Sequence, residues 1–141
     1  MLTIIFKRMF LFVAISIFSF NLHAADWTMA SGYPKSNFHT QNIIKFIDDV
    51  KSTTSVNINL NPNDTLIKLD AIKTSLQRGQ IPIGEIRLGI YGNEDPMYIL
   101  AGLPFIAPDY SSAWMLKDVQ MEYLQKKFDK KGLMILYTAP W

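Results

Sequence analysis

Cysteine is absent from this 141-residue chain. Its absence excludes disulfide staples, thiolate catalysis and cysteine-ligated metal sites, so an apolar core must hold the fold. Histidine is scarce: beyond His23 there is only His39, in the first turn of an expected helix near Ser36 and Thr40, where a surface or capping role is the commoner one. Neither sign of charge is in real excess. The formal net charge is +2, and Lys7 and Arg8 account for all of it. Residues 25–141 are therefore balanced and carry no electrostatic footprint for nucleic acid. There is no GxSxG turn, and Gly84, Gly89 and Gly92 are spread along an expected strand, not set between a strand and a helix, so no phosphate-cradling loop is expected. Repeats, low-complexity tracts and Ser/Gly linkers are also missing. No cofactor or metal is expected, and no nucleophile-and-base constellation stands out.

What is present begins with a leader. Lys7 and Arg8 precede a run from Met9 to Phe20 broken only by Ser16 and Ser19, and Ala24 and Ala25 follow. That is the order of a secretory signal peptide, residues 1–24, cut after Ala24. The run is shorter than the roughly 20 residues of a membrane-spanning helix. The expected location is periplasmic.

Along 25–141, period and punctuation alternate between strand and helix. Trp27–Ser31 reads as a first strand ending at Gly32, Tyr33 and Pro34. Ile43, Ile44, Phe46, Ile47 and Val50 follow helical spacing from about Asn37 to before Ser52. Val56, Ile58 and Leu60 alternate with asparagines in a second strand that Pro62 stops. Asp64 is a candidate N-cap for a second helix carrying Leu66, Leu69, Ile72 and Leu76, with Gly79 beyond its end. Ile81–Tyr91 reads as a third strand, 95–103 as a short helix starting at Pro96, and Pro104–Ala107 as an extended piece. A long helix from Asp109 or Ser111 to Gly132 would pack through Trp114, Leu116, Val119, Tyr123, Leu124 and Phe128, and Leu133–Tyr137 would form a last strand. The cluster Lys126, Lys127, Lys130 and Lys131 reads as a solvated helix end. Asp48 with Asp49, and Glu94 with Asp95, read as structural pairs.

Such alternation argues for an α/β fold, an open, mostly parallel sheet with flanking helices. Ligands of such sheets sit outside the carboxyl ends of the strands, which points to 31–37, 62–64 and 89–93. Glu85 and Arg87 share one face of the expected third strand. Two readings fit them: pairing near a sheet edge, or facing a ligand cleft in which Arg87 grips a carboxylate. Tyr33, Tyr91 and Trp141 fall near strand ends and suit either an organic ligand or packing.

Four segments in order, "DWTMASGYP", "GQIPIGEIRLGIYGNEDP", "AGLPFIAPDYSSAWML" and "KKGLMILYTAPW", resemble the amino-terminal lobe of the solute-binding proteins of TRAP transporters, of the DctP type. The resemblance implies a periplasmic-binding-protein-like receptor of two α/β lobes that closes on a small organic acid, dicarboxylate-like, and hands it to membrane permease subunits without catalysis. It places ligand-facing positions at Ser31, Gly32 and near Arg87, with Glu85, Tyr91 and Trp141 as further candidates at the cleft. It also implies that the carboxylate-clamping arginine of the second lobe is not in this chain, so 25–141 would be one lobe of two, incomplete at the crossover. The readings that compete with it are an exported α/β enzyme and an interaction module.

Overall fold

The structure, a computed structural model, describes residues 25–140. The expected signal peptide and Trp141 lie outside the described residues. Three strands form a parallel sheet in the order β2-β1-β3: β1 is Asp26–Ala30, β2 is Asn57–Asn61 and β3 is Ile83–Gly84. Trp27 pairs with Ile58 and Met29 with Leu60 on one side of β1, and Ala30 pairs with Gly84 on the other. The α/β expectation holds, with parallel strands joined by helical crossovers.

Alternation along β1 sends Met29 and Ala30 to opposite faces, and each face has its own core. On one, Met29, Ile58 and Ile83 pack against Ile43, Phe46, Ile47 and Val50 of helix α1, Phe38–Thr53. The Asn37 side chain caps α1 by accepting from the His39 amide at 2.9 Å, as a short polar residue at that position does. On the other face, Ala30 meets Ile72 and Ile81, and Ile72 opens helix α2, Ile72–Gln77. A Cβ on Gly84 would stand 2.7 Å from the Ile72 side chain. Glycine is what lets α2 lie this close to β3.

Four expectations are corrected. The second helix does not start at Asp64, because Asn63 and Asp64 both take φ of 58°, a left-handed conformation that Asn and Asp tolerate. The Asp64 carboxylate instead accepts from the Leu69 amide at 2.9 Å, so a turn occupies the stretch before Ile72. The third strand stops at Gly84: the Glu85 amide still donates to the Ala30 carbonyl at 2.9 Å, but beyond Ala30 the chain of β1 turns away and offers no further ladder. Two 3₁₀ helices follow, Leu88–Tyr91 and Pro96–Gly102. Pro104–Ala107 is a turn, with Phe105 at φ 66°. Leu133–Tyr137 joins no strand among the described residues; the Leu133 amide donates to the Phe128 carbonyl at 3.0 Å, and Leu133 and Ile135 pack through their side chains.

Helix α3, Tyr110–Asp129, is capped by the Asp109 side chain. Its buried residues are Gln120, Leu124 and Phe128, an i, i+4 stripe. Trp114 and Val119, expected in the core, are 48% and 79% exposed. Leu124 and Phe128 form a third cluster with Tyr91 and Tyr98, and the Gln120 amide donates to the Met97 carbonyl at 3.0 Å.

Charge pins this cluster in place. Lys73, 2% exposed, is paired with Glu94 and sits 4.0 Å above the Tyr91 ring, the pairing a buried ammonium requires. Lys131 also pairs with Glu94, and Lys127 with Asp95 at 2.8 Å. The lysine cluster is thus largely engaged: Lys126 pairs with Glu122 within α3, and Lys127 and Lys131 tie the end of α3 to the loop ahead of the second 3₁₀ helix. Asp95 accepts from Lys127, the Met97 amide and the Tyr123 hydroxyl, and these bonds hold its pKa down at about 2. A carboxylate with a depressed folded pKa contributes stability above its ordinary value of 3.8 that disappears as pH falls towards 2. Urea midpoints measured from pH 5 to pH 2 should therefore fall for the native chain. Asp95→Asn should be less stable at pH 5 and show a shallower fall.

Candidate functional site

The carboxyl ends of the three strands meet at Ser31. Its amide donates to the Asn61 carbonyl of β2 at 3.0 Å, its carbonyl accepts from the Asp64 amide at 3.2 Å, and its side chain is fully buried. The Ser31 hydroxyl donates to Glu85 Oε2 and accepts from the Tyr33 amide at 3.3 Å. One serine thus joins the exit of β1 to the residue directly after β3. Burial pushes the Glu85 carboxyl above its ordinary pKa, and the bond from Ser31 opposes that push.

Beside this pair the Arg87 guanidinium lies near the Tyr33 side chain. Burial raises the Tyr33 hydroxyl, the Arg87 charge lowers it and the Glu85 charge raises it. Ser31, Tyr33, Glu85 and Arg87 therefore form one polar cluster at the mouth of the sheet, with Arg87 its exposed member. Glu85 and Arg87 lie past the end of β3, at the carboxyl-end mouth, and Glu85 is held by Ser31 of the β1 exit.

Gly32 belongs to the same turn for a packing reason. A Cβ there would stand 2.6 Å from Leu69 Cβ, so glycine is what lets the β1 exit pass the 65–71 turn. Tyr91 sits elsewhere: it is 7% exposed within the α3 cluster, and its hydroxyl donates to the Leu69 and Asp70 carbonyls. His39 is buried against Tyr33 and Phe38, with ring centroids 5.9 and 4.0 Å away, instead of lying on the surface. Burial lowers its pKa. An open depression of about 300 Å³, lined by Asp64, Lys68, Leu69, Asp70 and Ile90, adjoins the β2 exit.

Tyr137 is the site residue that sequence reasoning missed. Its ring lies 5.4 Å from Phe46, and its hydroxyl is raised by burial first and then by the charge of Glu85. The run "LMILY" carried no sign of this, because a strand pattern says nothing about which other loop its last aromatic faces. Among the described residues no group of three His, Asp or Glu is placed to hold a metal ion.

No family model matches the chain, and no curated protein matches it. Solved structures do. The extracytoplasmic solute receptor DctP6 of Bordetella pertussis, described as binding pyroglutamic acid, is 39% identical over 83% of this chain, with a TM-score of 0.80. DctP7 of the same organism, also described as binding pyroglutamic acid, is 33% identical over 84% of this chain at 0.80. A marine metagenome TRAP solute-binding protein, described as specific for pyroglutamate, is 31% identical over 85% at 0.80. The chain spans 40% of the length of each of these receptors. The four sequence segments and the fold thus agree: the likeness is to the solute receptors of TRAP transporters.

Two outcomes follow from the geometry. Gly32→Ala should destabilise by about 1–3 kcal/mol, the usual range for forcing a methyl into a packed contact, read as a lower urea midpoint. Glu85 has a folded pKa above its unfolded one, so its contribution is fullest below that ordinary value and is lost as pH rises through the raised one. Glu85→Gln should therefore gain on the native chain between pH 4 and pH 7, by at most about 1 kcal/mol for a half-solvated group.

Proposed function

We propose that this chain forms one lobe of an extracytoplasmic receptor for small organic acids, serving a TRAP-type permease in the periplasm and catalysing nothing. The observation that carries the reading is the cluster at the carboxyl ends of β1 and β3: an exposed guanidinium, Arg87, beside Tyr33 and backed by the Ser31–Glu85 pair. A guanidinium suits a carboxylate because its planar fork offers two parallel N–H donors. Ligands of open parallel sheets gather at this edge. The 40% span of its relatives fits a lobe whose partner lobe supplies the opposite wall of a cleft.

Among acids, pyroglutamate ranks first, because it is what the receptors at 31–39% identity are described as binding. A dicarboxylate, the expectation from the sequence, ranks second. Arg87 is the only guanidinium in the cluster, while Glu85 opposes a second carboxylate. One lobe makes a fraction of the contacts of a closed receptor, so affinity in the millimolar range is expected, about 4 kcal/mol of binding.

NMR titration of the chain with pyroglutamate, succinate and the uncharged lactam 2-pyrrolidone checks this. Pyroglutamate should move the resonances of Ser31, Tyr33 and Arg87, succinate less and 2-pyrrolidone not at all, and Arg87→Ala should remove the response. Acids that leave these resonances unmoved would refute the reading.

A further inference from the structure

Two bodies with separate cores make up the described residues. In the first, the strands pack on α1 through Met29, Ile43, Ile58 and Ile83, and on α2 through Ala30, Ile72 and Ile81. In the second, α3 meets the two 3₁₀ helices through Tyr91, Tyr98, Leu124 and Phe128, with Leu133 and Ile135 against them. Among the described residues this second cluster takes nothing from before Ile86, and Ile86 is its one member that also packs in a core of the sheet. Most of what else crosses the boundary is polar. The buried Lys73 ammonium, carried on α2, pairs with Glu94 and lies 4.0 Å from the centroid of the Tyr91 ring and 6.0 Å from that of Tyr98. The Tyr91 hydroxyl donates to the Leu69 and Asp70 carbonyls at 3.4 and 3.1 Å, and the Tyr137 ring rests on Phe46 of α1.

We propose that residues 88–135 open as one unit while 25–84 stays folded, with the Lys73–Glu94 ion pair as the latch that sets how often they do. Cooperativity follows shared apolar burial. Here each core is complete within its own body, so separating the two leaves both intact and loses mainly polar contacts. The latch works through charge. In the closed form the Lys73 ammonium is out of water and its counter-ion belongs to the other body; without that carboxylate, closing would strand a charge that the faces of two tyrosines compensate only in part. Lys131 pairs with the same carboxylate from beyond the end of α3, so Glu94 leaves with α3 when the unit opens. The joint falls at 85–88, and everything after it moves relative to the end of β1.

Native-state hydrogen exchange of the chain in rising, sub-denaturing urea reads both bodies at once. Amides of α3 should converge on one opening whose urea slope is smaller than that of global unfolding, because it exposes only part of the surface. Amides of α1 and β1 should exchange through the steeper and rarer global event. Ile43→Val, a change inside the first core, should raise exchange in α1 and β1 about three-fold or more and leave the opening of α3 where it was. Glu94→Gln should raise the open population of α3 about ten-fold or more, the effect of stranding a buried ammonium reduced for a partly solvated partner. Adding Lys73→Met to Glu94→Gln should return most of that change, since no charge is then left to strand. A single isotherm shared by α3 and β1, or an Ile43→Val effect equal in both, would overturn the two-body opening. An unchanged α3 opening in Glu94→Gln, or no recovery in the double variant, would overturn the latch.

Discussion

The last peptide of β1 is the point on which the rest of the fold depends. A central strand must pair its backbone on both sides, and here the Ala30 carbonyl takes the Glu85 amide while the Ser31 amide gives to Asn61. These two bonds bring the ends of β2, β1 and β3 to one edge. The Ser31 carbonyl then holds the Asp64 amide, and the Ser31 hydroxyl holds Glu85. Two glycines make the arrangement sterically possible, Gly32 against Leu69 and Gly84 against Ile72. Chemistry at the mouth is a consequence of how the central strand finishes.

The segment carrying Glu85 and Arg87 is short and irregular, yet it is anchored at both ends. On one side β3 holds it. On the other Tyr91 is buried, bonded to the Leu69 and Asp70 carbonyls and capped by the Lys73 ammonium. Glu94 and Asp95 follow, each ion-paired to lysines. Charged pairs of this kind contribute little when solvated and require a partner when buried; Lys73 is the buried one, and Glu94 satisfies it. Together with Leu124 and Phe128 they fix α3 to the 3₁₀ helices that follow β3, without a large apolar face. Polar sites on loops gain direction only when the loop is held in this way.

Much of this was legible in the sequence. Alternation at Val56, Ile58 and Leu60 and the helical spacing from Ile43 to Val50 come directly from the periods of strand and helix, and both elements are present. Ser31, Glu85 and Arg87 were candidates because strand ends and charges on an apolar strand are physically unusual, and they stand together. Other features were not legible. Asp64 has the chemistry of an N-cap, but at a positive φ it makes a turn. Ile81–Tyr91 has strand composition throughout, but a strand is only as long as its neighbour, and β1 ends at Ala30. Tyr91 carries an aromatic ring suited to a ligand, and its long-range bonds to 69 and 70 decide otherwise. Lys127 and Lys131 looked solvated because their partners, Asp95 and Glu94, lie in a distant segment of the sequence. Each miss depended on a contact between distant segments, which a local pattern does not record.

The central claim is that the edge where β1 and β3 end is the binding surface. Amide hydrogen exchange of the chain, with and without saturating pyroglutamate, tests it most directly, because it reports every segment at once. The account predicts slower exchange at 31–33 and 85–87 and little change along α3. Protection confined to the depression at 64–70, or spread over α3 with none at Ser31 and Glu85, would contradict it.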